Sequence, residues 1–527
     1  MSNVVKKCLP LKRPLNLNAL SIASLALLLS ITINASAAGN VPLMEQGIQL
    51  GDLAPGRAIV WSRSDRPARM FVAYAFNDQF VDAITLRGAY AMEDTDFTAR
   101  QDLVNLPEGK DVFVKVWFED LTNARHKSEP VTGHFHTLGQ QDNIRFVWGG
   151  DTAGQGWGIN EDFGGMKIYE AMRQVKPLFF IHCGDNIYAD AIILPEVTAE
   201  NGQIWRNVVT PAVSKVSETQ AEFRGRYKYN LLDKNLRRFN AEVPQILQWD
   251  DHEVVNNWSD SKDLSKDSRY TIKDVPLLVA HASKAFHEYA PLRPHNAEEI
   301  DRVYRKIPYG KHLDVFVVDM RSYRGPNTAN LQTQQSAETA FLGTAQVAWL
   351  KTALKKSHAT WKVIVADLPI GLNIPDGKNS AGLARWEGVA NGNNGSAAGR
   401  ELELAALFSF IKHNHINNIV WLTADVHYAA AHYYNPANAK SHDFAPFWEF
   451  VAGPLSAGTF GPNTTDDTFG LQMMFSKAPP EGQVNLSPLS GLQFFGEVNI
   501  NHSNQSLTVA LKNINGFSVF SKTLLPK

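Results

Sequence analysis

The sequence predicts a layered α/β domain preceded by a small all-β sandwich, over a chain of 527 residues. Three observations carry this: a strand-rich opening segment, a later recurrence of short apolar runs, and helix-length stretches between those runs. The length exceeds one ordinary core, so two or three domains are expected. With 44% hydrophobic and 20% charged residues the composition is globular. A formal net charge of −2 provides no basic field, so sequence-specific nucleic-acid binding is not expected.

Residues 1–38 read as an export signal. Lys6, Lys7, Lys12 and Arg13 form a positive start, Ala19 to Ile33 is almost entirely apolar, and Ala35-Ser36-Ala37 supplies a small-residue cleavage pattern. The apolar stretch is short for a bilayer span. Its removal takes the formal net charge from −2 to about −6 and leaves no stable membrane span. Cys8 leaves with it, so Cys183 is the one remaining thiol and no internal disulfide forms. A periplasmic or extracellular location follows, with stability resting on core size.

Residues 44–137 form the sandwich. GRAIVWSR (56–63), RMFVAYAF (69–76), FTARQDLV (97–104) and DVFVKVWFED (111–120) are β-branched and aromatic and are separated by turn residues, as in a small immunoglobulin-like antiparallel domain. They contain no catalytic cluster. Residues 140–527 make up the second domain. Its apolar runs are IRFVW (144–148), LFFIHC (178–183), VPQILQW (243–249), LDVFVVD (313–319), WKVIVA (361–366), IVWLTA (419–424) and WEFVAG (448–453). Runs apolar on both faces read as strands covered by helices on either side. Helices are expected at 345–356 and 401–414. Residues 189–235 and 256–300 read as helical or loop insertions, and 371–400 as a long functional loop. Hairpins at Ser503-Asn504 and Asn515-Gly516 return the C-terminus to strand.

The polar residues collect at strand ends. FVWGGDTAGQG presents Asp151, and FFIHCGDNIYAD presents Asp185 with Tyr188. QILQWDDHEVVNNW presents Asp250, Asp251 and His252, and IVWLTADVHYA presents Asp425 and His427. Ligands bind beyond the carboxyl ends of strands in open α/β sheets. Converging carboxylates repel unless cations lie among them, and Asp, His and Tyr suit hard or borderline metals. This predicts a polynuclear metal site. Two cations held about 3.5–4 Å apart suit displacement at phosphorus, with a metal-bound hydroxide as nucleophile. His252 would protonate the departing alkoxide or stabilise its charge.

The chain resembles the PhoD-type alkaline phosphatases and phosphodiesterases, a branch of the calcineurin-like metallophosphoesterases. GDLAPGRAIVWSRSDRPA (51–68), GDNIY (184–188), WDDHEVVNN (249–257), DMRSYR (319–324), RWEG (385–388) and ADVH (424–427) match its motifs in order. The resemblance implies an α/β/β/α catalytic domain and an exported phosphoric ester hydrolase. It also implies Asp185 as a metal-bridging residue, Tyr188 as a phenolate ligand, Asp251 as a ligand, His252 as the catalytic histidine, and Asp425 with His427 as the closing ligands. Iron with calcium is implied. Asp151 stands where the family commonly has a cysteine thiolate, and this harder ligand brings manganese or zinc into the range of candidate metals.

Other residues have two readings. Arg321 and Arg324 either bind phosphate or, the preferred reading, pair with Asp319 and Glu387. Asn256 and Asn257 are either ligands or loop amides, and Trp386 belongs to a lid or to a floppy loop. His432 is expected on the sheet surface, His182 inside its strand, and Cys183 in the core rather than as a nucleophile. The competing function is a non-catalytic, metal-stabilised surface or matrix-binding protein. A phosphate ester is the expected partner and a monomer the expected state.

Overall fold

The computed structural model describes residues 41–296 and 299–527, so the expected export signal lies outside the described residues. From Pro42 onward the chain is one compact unit. Among the described residues, two large sheets supply the frame. The nine-stranded sheet runs, edge to edge, Ser518–Leu524, Leu507–Asn513, Phe494–Ile500, Ile144–Gly149, Phe180–His182, Gln245–Leu247, Ile48–Ala54, Arg57–Arg63 and Thr98–Leu103. Its central strands are parallel, with Val147 beside Phe180 and Phe180 beside Gln245. The seven-stranded sheet runs Arg305–Tyr309, Leu313–Val317, Trp361–Val365, Ile419–Thr423, Phe447–Val451, Ala429–Tyr434 and Leu471–Lys477. Leu313–Val317 through Phe447–Val451 are its parallel strands.

Alternation along these strands separates three cores. Phe146, Trp148, Ile181 and Ile246 share one buried cluster with Val315, Val317, Val363, Val365, Val420 and Leu422, which places the two sheets face to face. The intervening Val147 and Phe180 turn the other way, onto the helices Lys167–Gln174, Lys234–Glu242 and Val275–Tyr289. Phe316, Ile364 and Trp421 likewise meet Leu350 and Leu407 of Thr344–Lys355 and Glu401–His413. The order is therefore helix, sheet, sheet, helix. This is the α/β/β/α layering that the family resemblance implies, whereas the reading of helices on either side of each strand is corrected: each sheet has helices on one face and its partner sheet on the other. Either cover hides apolar side chains equally, so the apolar runs do not distinguish them.

The sandwich over 44–137 is also organised differently from a free-standing domain. A four-stranded sheet, Ile84–Ala91, Ala68–Ala75, Asp111–Asp120 and Val131–His136, packs Met70, Val72, Val114 and Val116 against Ile48, Leu50 and Val60. Those partners belong to strands at one end of the nine-stranded sheet, where Gly51 pairs in parallel with Gln245. One sheet of the sandwich is thus an extension of the sheet that carries Asp185 and Asp251. The segment 371–400 contains a short hairpin, Pro375–Lys378 with Ala384–Trp386. Both expected C-terminal hairpins are present.

Candidate metal centre

All parallel strands end at one edge of the molecule, and the polar clusters leave from there. Asp151, Asp185, Asp425 and His427 each adopt a left-handed backbone, with φ of 70°, 56°, 62° and 61°. Non-glycine residues pay strain in that region, which concentrates at functional sites. Here it turns each chain sharply as its strand ends, so the side chain comes back over the sheet edge. Gly184 precedes Asp185 at φ +107°, and a Cβ there would lie 2.4 Å from the Asp250 Cβ. The Gly-Asp pair is therefore required where two strand ends touch. Backbone bonds lock the ends together: Thr152 N–H donates to Asp185 O at 2.9 Å and Ser456 N–H to Asp151 O at 3.0 Å. Below them the Trp148 indole N–H donates to Thr423 O across the two sheets at 3.3 Å.

Three groups of potential ligands result: Asp151, Asp185 and His427; Asp185, Asp251 and His252; Asp250, Asp251 and Asp425, with ligand atoms within 4.8 Å of one another in each. Asp185 and Asp251 are each shared by two groups. The cluster spans both sheets, not one open-sheet crevice as the strand-end pattern predicted, because the two carboxyl edges face each other. The sequence-selected residues Asp151, Asp185, Tyr188, Asp251, His252, Asp425 and His427 all meet here.

The donor set fits cations. Both oxygens of Asp151, Asp185 Oδ2, Asp250 Oδ2 and Asp251 Oδ1 are buried with no hydrogen-bond donor among the described residues. Buried anionic oxygens left in this way are strongly unfavourable unless metals coordinate them. Burial, reinforced by neighbouring carboxylates, pushes the pKa of Asp151, Asp185, Asp250 and Asp425 well up. Burial also pushes Asp251 up, but His252, Arg321 and the Asn257 N–H outweigh it and hold its pKa at about 2.

Each histidine has a defined orientation. His427 Nδ1 bonds the Gly458 carbonyl, so it carries the proton and leaves Nε2 as acceptor. The Tyr188 hydroxyl donates to that Nε2 at 2.9 Å. Burial lowers the His427 pKa to about 4, so the ring is neutral and ligand-competent. Burial first, then Asp185 and Asp151, raises the Tyr188 pKa well above normal, so phenolate ligation requires a cation beside it. His252 Nδ1 donates to Asp190 Oδ1 at 2.7 Å, and its ring lies 4.4 Å from that of Tyr188. Burial opposes protonation of His252, but Asp190, Asp251 and Asp185 together raise its pKa well above normal.

Several supporting residues escaped sequence reasoning. Asp190 lies within the quoted FFIHCGDNIYAD, where nothing in the spacing separates it from a loop acid. Its Oδ2 accepts the Asn256 N–H at 2.9 Å. Glu253, wholly buried, accepts backbone N–H groups of Asp185, Asn186 and Asp250, at 3.3, 2.6 and 2.8 Å. It therefore fixes two metal-bearing loops against each other. Asp367, which accepts from Arg321 at 2.9 Å, is the third.

Arg321 is buried among acids. Its guanidinium bonds Asp250 and Asp367, at 2.6 and 2.9 Å, and also Glu387. The expected pairing with Glu387 is present. Asp319 instead caps its own turn, accepting from the Arg321 and Ser322 N–H groups. Arg324 reaches the Glu387 carbonyl and Asn327 rather than a carboxylate. Asn256 and Asn257 present backbone N–H groups to Asp190 and Asp251, and the Asn257 side chain also donates to Asp376. His432 is not on a sheet surface: it is fully buried and its Nδ1 pairs with Glu449 at 2.8 Å. Outer strands do not imply exposed faces when a helix layer covers them. His182 is internal, and its Nε2 meets Thr152 Oγ1 at 3.0 Å. Cys183 is fully buried between the sheets, and burial raises its pKa well above normal, which removes the thiolate nucleophile reading.

Residues 146–511 match the PhoD-like phosphatase family, and residues 31–139 match the PhoD-like phosphatase N-terminal domain. Alkaline phosphatase D of Bacillus subtilis (strain 168) is 26% identical over 327 residues, which are 58% of this chain and 51% of that protein. The chain therefore spans about half the length of this curated relative. A solved structure of PhoD superimposes with a TM-score of 0.66 at 19% identity, covering 92% of this chain and 90% of the other. A purple acid phosphatase from yellow lupin (Lupinus luteus) seeds gives 0.56 at 12% identity, covering 92% and 74%. At these identities the two structures speak for the fold alone.

Proposed function

We propose, for a chain that belongs to the PhoD-like phosphatase family, metal-dependent hydrolysis of phosphate esters at the edge where the two sheets meet. The carrying observation is the set of buried, donor-free oxygens on Asp151, Asp185, Asp250 and Asp251 beside His252. Asp151, Asp185, Tyr188, Asp251, Asp425 and His427 are the proposed ligands of more than one metal ion. When bound, the metals supply charge neutralisation at phosphoryl oxygens and lower the pKa of an attacking water. Asp151 makes this ligand set harder than the thiolate of the resembled family, which favours calcium or manganese beside iron over a soft-metal site.

His252 has the proton-handling role. Its Nδ1–H is held by Asp190, while Nε2 makes no hydrogen bond among the described residues and is free to meet an ester oxygen. Asp190 fixes the ring and stabilises its charged form, so His252 can donate to, or offset charge on, the leaving oxygen. Glu253 holds the loops in register, and Arg321 counters part of the net negative charge. The site stands between the segment 371–400, which reaches it through the Asn257–Asp376 contact at 3.2 Å, and the loop carrying Asp190. This supports a lid role for the Trp386 hairpin. Export through residues 1–38 and a phosphate-ester substrate outside the cytoplasm complete the reading. Among the described residues no helix is long and apolar enough to cross a membrane.

The test is hydrolysis of an aryl phosphomonoester and an aryl phosphodiester before chelation, after it, and after metal add-back. Chelation is expected to abolish turnover of both and add-back to restore it. Full activity in protein verified to be metal-free would overturn the reading.

A further inference from the structure

A cavity of about 970 Å³ lies away from the metal ligands, on the helix-covered side of the nine-stranded sheet. Its walls come from the edge strand Thr98–Leu103 through Arg100, the helix Val275–Tyr289 through Val279 and His287, Leu292, and the loop after Gln245–Leu247 through Trp249 and Trp258. The volume suits a small organic molecule. Its apolar lining, Val279, Leu292 and the two indoles, would pack against a hydrophobic body.

Charge at this cavity is incompletely matched. Arg293 and Arg305 at its rim are paired with Asp102 and Asp52, and Lys284 with Glu288. Arg100 is different. Its guanidinium has no hydrogen bond and no ion pair among the described residues, and its Nε is sealed from water with no acceptor. The acids whose charge reaches Arg100, Asp52 and Glu288, already serve Arg305 and Arg224 at 2.8 and 2.6 Å. Burial lowers the Arg100 pKa to about 10, which still leaves a cation at neutral pH. The indole N–H groups of Trp249 and Trp258 are likewise buried without acceptors. Arg100 as a whole is half-buried rather than sealed, yet its guanidinium faces the cavity with no acid committed to it, so an anion held there would supply the counterion it lacks.

We propose that this cavity is a second ligand site, for an organic anion whose single acid group pairs with Arg100 and whose apolar body lies along Val279, Leu292 and Trp258. Trp249 directly precedes Asp250, and Trp258 directly follows Asn257, whose N–H holds Asp251. An occupant would therefore brace the back of the loop that carries Asp250, Asp251 and His252.

The test uses the metal-loaded full chain and 4-phenylbutyrate as probe, followed by titration calorimetry, with the uncharged 4-phenylbutyramide alongside. Saturable binding of the acid, at least tenfold tighter than the amide, is expected. Arg100→Gln should weaken the acid at least tenfold, Arg100→Lys should restore it to within a few-fold, and Lys284→Gln should leave it within twofold. Excess inorganic phosphate should not displace the probe. Absence of binding, equal binding of acid and amide, displacement by phosphate, or unchanged affinity in Arg100→Gln would each overturn the proposal. The acid-to-amide ratio on the unaltered chain decides the matter even if an Arg100 variant folds poorly.

Discussion

Replacing Asp190 with Asn tests the proposed chemistry with the smallest structural change. The wild-type carboxylate accepts two hydrogen bonds, His252 Nδ1–H at 2.7 Å on Oδ1 and Asn256 N–H at 2.9 Å on Oδ2. An amide has one carbonyl oxygen for two donors. If that oxygen keeps Asn256, the amide NH₂ faces Nδ1 and moves the imidazole proton to Nε2. If it keeps His252, the Asn256 N–H meets a donor and the loop after Asp251 shifts. Either way His252 loses a charge-assisted bond worth about 1.5–3 kcal/mol. If that bond matters most when the ring is charged in the transition state, kcat falls about 10- to 150-fold. The charged form of His252 is also less favoured without Asp190, so any alkaline limb of the pH–rate profile due to His252 moves to lower pH. The assay is kcat for an aryl phosphate across pH, with metal content measured on the same samples. Asp190 is not among the grouped ligands, so bound metal should stay at the wild-type level. A kcat within twofold of wild type with an unmoved profile would refute the positioning role. Loss of metal in step with loss of rate would show Asp190 acting on the metal site instead.

His252→Ala should lose turnover and keep its metal; retention of turnover, or loss of both together, would remove His252 from its role. Arg321→Met leaves Asp250, Asp367 and Glu387 buried without their shared cation, and should cost about 3–5 kcal/mol in urea unfolding; a loss below about 1 kcal/mol would mean those acids are balanced elsewhere. Cys183→Ser places a hydroxyl between the sheets and should lower stability by about 1–3 kcal/mol while keeping kcat within a few-fold; abolished turnover in well-folded protein would revive a thiolate mechanism. Glu401 has its pKa raised by burial, and by Asp466, from 4.5 to about 8. The folded state then holds a proton that the unfolded state releases, so its contribution to stability falls as pH rises through that window. The urea midpoint of Glu401→Gln relative to wild type should rise between pH 5 and pH 9, and a difference independent of pH would contradict the burial argument.

Much of the fold was legible because burial writes itself into composition along the strands. Runs such as IRFVW, WKVIVA and IVWLTA announce strands covered on both faces, and the carboxylates and histidines that end them announce where polarity becomes affordable. Thus Asp151, Asp185, Tyr188, Asp251, His252, Asp425 and His427 could be selected from sequence, by strand-end position and by the motifs of the resembled family. What covers each face is a different matter. Val147 and Trp148 are adjacent and equally apolar, yet one meets a helix layer and the other the opposing sheet. Local pattern reports the need for burial and not the partner that supplies it. The same limit hid the continuity of the opening strands with the nine-stranded sheet, which rests on the Gly51–Gln245 pairing across nearly two hundred residues. It also hid Asp190 and Glu253 as supports, since a loop acid that orients a histidine and one that faces water have the same one-letter code. Residue chemistry and strand-end position are properties of the chain, whereas the sharing of Asp185 and Asp251 between ligand groups arises only when distant segments exclude water from the same small volume.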